Sequence, residues 1–235
     1  MALVYEKAWN DVVNGLPKRK QNIIINIFNI IDGHHVYEGE MVAGRREGKG
    51  RVIYANGDIY EGDFADDRRH GQGTFVGTDG YQYTGAWTEG QIEGQGLVTY
   101  PDSSVYEGSL RADLSDGFGK ITYPDGSSYE GNWVAGVIEG EGTATYANGI
   151  VYKGIFKNAK NHGKGIMTYA DGYRYDGDWQ NGLRHGQGTA TYPDGAVYVG
   201  EYNSGQRQGQ GEITMADGFK YAGAWKGGKI SGFGV

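Results

Sequence analysis

The stretch Tyr60-Glu61-Gly62-Asp63-Phe64, followed by His70-Gly71-Gln72-Gly73, decides the fold because its pattern recurs along most of the chain. Tyr-x-Gly returns nine times at a period of 23 residues, and Gly-x-Gly follows each Tyr after eleven residues. A fixed period of this length predicts a repeat protein in which each unit is one supersecondary element. The repeats begin at Tyr37, Tyr60, Tyr83, Tyr106, Tyr129, Tyr152, Tyr175, Tyr198 and Tyr221.

Two further recurring residue types indicate the structure of one repeat. Repeat positions are counted with the Tyr as position 1. Position 5 holds a large apolar residue, and positions 1, 3 and 5 share one face of an extended strand. Positions 20 and 21 hold dipeptides such as Asn56-Gly57 and Asp125-Gly126, which favour a type I′ hairpin turn. We expect a strand, a loop at positions 6 to 11, a second strand and this tight turn.

The chain is therefore predicted to be an all-β repeat protein, an elongated twisted antiparallel ribbon of stacked β-hairpins. A short helical segment is expected before it. The predicted organisation is an N-terminal amphipathic segment, residues 1–35, and a repeat array, residues 36–235.

The motifs quoted above resemble MORN repeats, and the resemblance covers residues 37–235 as nine repeats, the last of them truncated. It implies an antiparallel β-ribbon that serves in scaffolding, in binding partner peptides, or in attachment to membranes and the cytoskeleton. Some members of the family carry a catalytic domain beside the repeats, and no such domain is recognisable in this sequence. We expect a cytoplasmic protein, with the membrane periphery or the cytoskeleton as alternatives.

Composition and charge limit the classes of partner that the chain is expected to bind. The net charge is −7, which argues against nucleic acid, since such binding relies on Lys and Arg to neutralise phosphates. After residue 35 the chain has 18 basic and 26 acidic residues, so direct binding of anionic phospholipid is disfavoured outside a local patch. That patch comprises Arg45, Arg46, Arg68 and Arg69. A protein or peptide partner, helical or extended, fits this charge better.

No catalytic or metal-binding motif stands out, and we expect neither enzyme activity nor a cofactor. His70, His162 and His185 share position 11, but equivalent positions of neighbouring repeats are about 9.6 Å apart, too far to share one zinc ion. The Gly-x-Gly pairs are followed by strand-forming residues, which argues against a phosphate-binding loop. We expect these glycines to leave space for neighbouring aromatic rings.

The best candidate binding surface is the column of aromatic residues at position 5. Its other interpretation is the structural core of a thin sheet, and the sequence does not separate the two. The predicted partner-binding residues are Phe64, Trp87, Trp133, Phe156, Trp179, Tyr202 and Trp225.

The first 35 residues lack the repeat. We expect a helix over residues 2–14 and a second one that starts at Leu16-Pro17, although the β-branched run after residue 22 could equally form a strand. Three roles compete: a cap on the array, a cis or grafted ligand in its groove, and a basic amphipathic anchor on an anionic membrane. The residues assigned to docking are Lys18, Arg19, Lys20, Ile24, Ile27, Phe28 and Ile31.

The predicted function is a non-catalytic scaffold that binds a partner segment along the aromatic face. The alternatives are a peripheral membrane tether acting through residues 16–31 and a regulatory module of a larger enzyme. The last repeat stops inside its second strand at Val235. A bare strand edge pairs readily with another chain, so a homodimer is also expected as an alternative.

Overall fold

The computed structural model describes Ile25–Asn26 and residues 35–234. Its contacts divide the chain into two compact units. Unit 1 comprises the residues up to 101 together with 110–113, and unit 2 comprises 102–109 together with the residues from 114 onward.

All regular elements in the described residues are strands, two per repeat and one before the first repeat. They are β1 (Ile25–Asn26), β2 (Val36–Val42), β3 (Arg45–Ile53), β4 (Ile59–Ala65), β5 (Arg68–Val76), β6 (Gln82–Thr88), β7 (Gln91–Thr99), β8 (Val105–Arg111), β9 (Leu114–Thr122), β10 (Ser128–Val134), β11 (Val137–Thr145), β12 (Val151–Lys157), β13 (Lys160–Thr168), β14 (Arg174–Gln180), β15 (Leu183–Thr191), β16 (Val197–Asn203), β17 (Gln206–Thr214), β18 (Lys220–Lys226) and β19 (Lys229–Gly234).

Within each unit, consecutive strands pair antiparallel. In the repeat that starts at Tyr175, β14 pairs β15 with Gly177 opposite Gly188, and β15 pairs β16 with Gly188 opposite Gly200. The glycines of positions 3 and 14 thus lie side by side across successive strands. The predicted all-β fold of stacked antiparallel hairpins is confirmed.

The tight turn of each hairpin lies at repeat positions 7 and 8, and the prediction that placed it at positions 20 and 21 is wrong. Asn181 and Gly182 connect the paired residues Gln180 and Leu183, and their φ angles are 52° and 85°. Positive φ at both central residues is the mark of a type I′ turn. The expected loop over positions 6 to 11 is therefore only two residues long.

The Asp-Gly and Asn-Gly dipeptides form a wider connection between repeats. The Tyr192 amide donates to the Ala196 carbonyl at 2.8 Å, and the Gly195 amide donates to the Tyr192 carbonyl at 2.9 Å. Only the glycine has positive φ, 87° at Gly195, which fits a three-residue loop with a type I turn and a left-handed closing residue. The Asp194 carboxylate accepts from the Ala196 amide at 3.0 Å, so this aspartate stabilises the connection.

The two glycines of each Gly-x-Gly serve different purposes. Gly186 has a φ of +60° and lies in a bulge of β15, where residues 185–187 face Asp178 alone; left-handed backbone there favours glycine. Gly188 leaves space for a ring, since a Cβ at this residue would lie within 3.0 Å of three ring and hydroxyl atoms of Tyr175. The prediction that position 14 makes room for a ring is confirmed.

A ladder of backbone hydrogen bonds joins the tight turns of neighbouring repeats. The Gly182 amide donates to the Asn161 carbonyl, and the Gly205 amide donates to the Arg184 carbonyl, both at 2.9 Å. Each bond connects position 8 of one repeat with position 10 of the repeat before it. The turns are thus fixed to the sheet rather than left as free loops.

The N-terminal segment differs from the expected helix where it is described. Ile25 and Asn26 form β1, which pairs antiparallel with Glu38 and Tyr37 of β2. A β-branched sequence next to the free edge of β2 favours strand over helix, so the strand alternative holds at these two residues. The rest of the predicted helices lies outside the described residues, and the boundary between residues 35 and 36 stays a prediction.

No helix long and apolar enough to cross a membrane occurs in the part of the chain that the structure describes.

The Gly188→Ala substitution tests the seating of Tyr175. We expect it to lower the free energy of unfolding by about 1–3 kcal/mol, because the added methyl group overpacks the site against the ring. Urea unfolding followed by circular dichroism measures the change.

Gln187→Ala is the matched control, since Gln187 is exposed on the opposite face and a surface change of this kind stays within about 0.5 kcal/mol. Equal stability of the Gly188→Ala variant and the control would contradict the close approach.

Candidate binding site on the aromatic face

Rings from positions 1 and 5 form a zipper along one face of the sheet, which we call the aromatic face. The ring centroid of Tyr152 lies 5.0 Å from that of Phe156 in its own repeat and 5.3 Å from that of Trp179 in the next. Tyr175 repeats this arrangement with Trp179 and Tyr202, at 5.1 and 5.0 Å. All four pairs meet edge to face, a favoured geometry for aromatic pairs. Each tyrosine therefore ties its own repeat to the following one.

The polar atoms of the zipper are satisfied by the backbone. The Tyr175 hydroxyl donates to the Asp178 carbonyl at 2.9 Å, and the other position 1 tyrosines donate in the same way, for example Tyr83 to Ala86 at 2.8 Å. The Trp179 indole donates from Nε1 to the Gly165 carbonyl at 3.0 Å. Buried polar groups with partners stabilise one packing arrangement over others.

The seven predicted partner-binding residues are all buried in this zipper, with exposed fractions of 3–8 %. Their first role is structural, because each contacts the tyrosines of two repeats or shields them from solvent. A partner could contact them directly only by displacing rings, and their predicted binding role stays a prediction. They are Phe64, Trp87, Trp133, Phe156, Trp179, Tyr202 and Trp225.

Burial changes the acidity of the zipper tyrosines. Loss of hydration disfavours the phenolate and raises the pKa of Tyr83, Tyr129, Tyr152 and Tyr198 to about 12. The same cause raises the pKa of Tyr60 and Tyr175. These tyrosines are neutral hydrogen-bond donors at neutral pH.

Arginines at position 10 cover the zipper from the solvent side. The guanidinium carbon of Arg69 lies 4.1 Å from the ring centroid of Trp87, and that of Arg207 lies 4.2 Å from the centroid of Trp225. Arg184 lies 5.2 Å from the ring of Tyr202. Each is within the range of a cation–π contact. Sequence reasoning missed this layer, because arginine occupies position 10 in only some repeats.

A second row of rings runs beside the zipper at positions 18 and 22, joined in unit 1 by Phe75 at position 16. In unit 1, Tyr54 neighbours Phe75 and Phe75 neighbours Tyr81, with centroids 6.4 and 6.1 Å apart. In unit 2, Tyr173 lies 5.2 Å from Tyr169 and 5.3 Å from Tyr192. These rings are half-buried, and they are open to a partner in a way the zipper is not. The recurring Tyr at position 18 was the signal in the sequence.

In unit 2 the second row borders a depression that we call the arginine trough. It consists of two hollows of about 330 and 410 Å³ that share Arg207 and Gly228. Tyr173, Tyr192 and Tyr202 line the first hollow, and exposed apolar side chains line the second. The lining residues of the trough are Tyr173, Arg184, Tyr192, Tyr202, Gly205, Gln206, Arg207, Ile213, Met215, Phe219, Trp225, Gly228, Lys229 and Ile230.

Unit 1 has a comparable hollow of about 360 Å³. Arg69, Tyr54 and Phe75 line it, as does the carboxylate of Asp58. The same repeat positions therefore build a surface hollow in each unit, with a different charge in each.

The basic patch expected around Arg45, Arg46, Arg68 and Arg69 is largely neutralised. Arg45 pairs with Asp66 at 2.6 Å, Arg46 with Asp67 at 3.4 Å and Arg68 with Glu89 at 3.2 Å. The partners are turn residues of the next repeat, so these arginines do not form an open cationic surface.

The face opposite the zipper carries both signs of charge. Lys164 pairs with Asp178 at 2.7 Å, and Arg174 pairs with Asp176 at 2.7 Å. Such exposed pairs contribute little to stability. They leave this face without a strong net charge around β13 and β14.

No cluster of three or more His, Asp or Glu side chains able to hold a metal ion is found over residues 35–234. The docking residues assigned to the N-terminal segment, Lys18, Arg19, Lys20, Ile24, Ile27, Phe28 and Ile31, lie outside the described residues.

Comparison with known proteins supports the repeat assignment. The profile of the MORN repeat matches nine consecutive segments from residue 37 to residue 235. No curated protein matches the chain significantly.

Among solved structures, the TCP10 domain of Danio rerio CPAP, in complex with a peptide of Danio rerio STIL, is similar. It has 15% identity and a TM-score of 0.46 over 80% of this chain and 83% of that one. The TCP domain of Drosophila melanogaster SAS-4, in complex with a proline-rich motif of Ana2, has 14% identity and a TM-score of 0.42 over 80% and 99%. The G-box domain of the microcephaly protein CPAP has 14% identity and a TM-score of 0.43 over 83% and 100%.

The raised pKa values predict loss of stability at alkaline pH. The folded state keeps Tyr83, Tyr129, Tyr152 and Tyr198 protonated up to a pKa of about 12, whereas an unfolded tyrosine ionises near pH 10. The stabilisation is complete below pH 10 and declines as pH rises from 10 through 12.

Absorbance of the phenolate at 295 nm, with urea unfolding at pH 8, 10 and 11, measures both effects. Tyrosines that all titrate near pH 10 in the folded chain would contradict the buried zipper.

Proposed function

The chain belongs to the MORN-repeat family, and on that basis we propose that it is a non-catalytic scaffold that binds a segment of a partner protein. The site is the second row of rings and the hollows beside it on the aromatic face. Partner contact at the zipper residues would be secondary, because the rings there are already packed against each other.

The observation that carries this proposal is the exposed apolar surface of the arginine trough. Phe219 is 60% exposed, Ile230 is 51% exposed and Met215 is 38% exposed, and all three line one hollow. Large apolar side chains grouped at a concave surface with polar neighbours are typical of interaction sites. Half-buried tyrosines beside them add rigid contact area at low entropic cost.

The shape of the site favours a peptide segment over a small substrate. Enzyme and cofactor sites bury most of a small ligand in a cleft, whereas these hollows are shallow and follow the strands. An extended or helical segment could contact several repeats at once. Such a segment would gain affinity from many modest contacts and a few aromatic anchors.

A membrane tether through residues 16–31 is the alternative from another class. It predicts that the full chain sediments with phosphatidylserine vesicles and that substitution of Lys18, Arg19 and Lys20 abolishes this. A regulatory role beside a catalytic domain is compatible with the same binding surface.

Selection of peptides from a random dodecapeptide display library on the full chain tests the scaffold function. We expect ligands whose affinity falls about 30-fold in the Tyr54→Ala/Tyr192→Ala variant, because loss of one aromatic anchor costs about 2 kcal/mol. Fluorescence anisotropy of labelled peptides measures the affinities.

The Val76→Ala/Val199→Ala variant is the matched control, since both valines are exposed on the opposite face. Selected peptides that lose affinity only in this control, or a selection that yields no ligand, would contradict the proposal.

A further inference from the structure

The arginine trough of unit 2 has an unusual charge for this chain. Arg184, Arg207 and Lys229 line it, and no Asp or Glu is among its lining residues. The chain as a whole has a net charge of −7. The hollow of unit 1, in contrast, contains a carboxylate beside its arginine. A purely cationic site on an acidic protein indicates an anionic occupant.

Arg184 and Arg207 are held in place without being neutralised. Their Nη2 atoms donate to the carbonyls of Gly205 and Gly228, each at 2.8 Å, and their guanidinium groups stack on rings of the zipper. Within residues 35–234, the ion pairs of the position 9 and 10 arginines involve unit 1 only. The two units differ in the turn of the following repeat, which supplies the carboxylate partners. In unit 1 that turn is Asp66-Asp67 or Glu89-Gly90. In unit 2 it is Ser204-Gly205 or Gly227-Gly228, which has no carboxylate.

The Tyr202 hydroxyl is a second, independent feature. It is buried and has no hydrogen-bond partner, whereas the position 1 tyrosines all donate to a carbonyl. Phe64 and Phe156 occupy the same repeat position without a hydroxyl, so the zipper does not require one. An unpartnered buried hydroxyl is destabilising, and a ligand in the first hollow, which Tyr202 lines, could accept its hydrogen bond.

The surroundings of the Tyr202 hydroxyl determine its protonation state. Burial raises the pKa of this hydroxyl, Tyr173, Tyr192 and Tyr175 raise it further, and the guanidinium of Arg184 lowers it. It is therefore a neutral hydroxyl whose donor capacity is unused among the described residues. An anion between Arg184 and Arg207 would receive hydrogen bonds from both guanidinium groups and from this hydroxyl.

We propose that the arginine trough binds an acidic segment of a partner protein. The carboxylate of an Asp or Glu is held by Arg184 and Arg207, with the Tyr202 hydroxyl as a further donor after the side chains at the rim adjust. A large apolar side chain of the same segment occupies the second hollow, against Met215, Phe219 and Ile230. This assignment rests on the proposed function and names the chemistry of the partner at that site.

A carboxylate on a peptide fits better than a phospholipid headgroup. The guanidinium fork matches a carboxylate in geometry and charge, and the apolar hollow lies directly beside it. The net negative charge of the chain opposes approach to an anionic membrane, while a single acidic segment needs only the local cationic field.

The dodecapeptides selected from a random display library on the full chain are the probes. We expect them to be enriched in Asp or Glu close to a large apolar residue. Replacement of that acidic residue by Asn or Gln in a labelled peptide is expected to weaken binding at least tenfold. The Arg184→Gln/Arg207→Gln variant is expected to lose a similar factor, and binding weakens as salt rises.

Lys164→Gln/Arg174→Gln is the matched control, because it also removes two positive charges, but from the opposite face, and it is expected to bind the peptides normally. Tyr202→Phe is expected to keep or raise the thermal midpoint of the free chain and yet to weaken acidic peptides several-fold. The Asn or Gln peptides tested on the unaltered chain decide the matter if an arginine variant fails to fold.

Selected peptides without an acidic residue, or acidic peptides that bind equally after both arginines are replaced, would overturn the acidic segment and leave the scaffold function intact. Vesicles containing phosphatidylserine that bind through Arg184 and Arg207 would also overturn it. A selection that yields no ligand at all would instead remove the scaffold function on which the inference rests.

Discussion

The seating of a tyrosine ring on a pair of neighbouring glycines is the constraint on which the rest of the structure depends. Gly177 and Gly188 lie opposite each other, and the ring of Tyr175 fills the space that side chains there would occupy. With its ring so placed, Tyr175 reaches the Asp178 carbonyl and the rings of Trp179 and Tyr202. Hairpin pairing, ring packing and contact between repeats all follow from two residues without side chains.

This use of the rings separates stability from recognition. A thin sheet has few ways to bury apolar surface. The side chains at positions 1 and 5 are therefore buried by packing between repeats. Residues free to differ between repeats are those of the outer layer, at positions 10, 18 and 22. In unit 2 these positions supply Arg184, Tyr192 and Phe219, and with them a surface whose charge differs from that of the chain as a whole.

Much of the fold could be predicted because the period aligns residues whose roles depend only on strand geometry. The glycine at position 14 and the ring at position 5 are examples. The turn type could not be predicted from Asn-Gly alone, since a type I turn closed by a left-handed glycine uses the same dipeptide. The trough was missed because it depends on which arginines find a carboxylate in the next turn, a relation between residues 21 positions apart, as in Arg45 and Asp66.

A double-mutant cycle across one repeat boundary tests the ring zipper most directly. Tyr152→Leu and Trp179→Leu, singly and together, are compared by urea unfolding, with Tyr152 and Trp225 as a distant control pair. The edge-to-face contact between Tyr152 and Trp179 predicts a coupling free energy of about 0.5–1.5 kcal/mol, against additive effects in the control pair. Additivity of the Tyr152 and Trp179 substitutions to within about 0.3 kcal/mol would contradict the zipper as the element that holds repeats together.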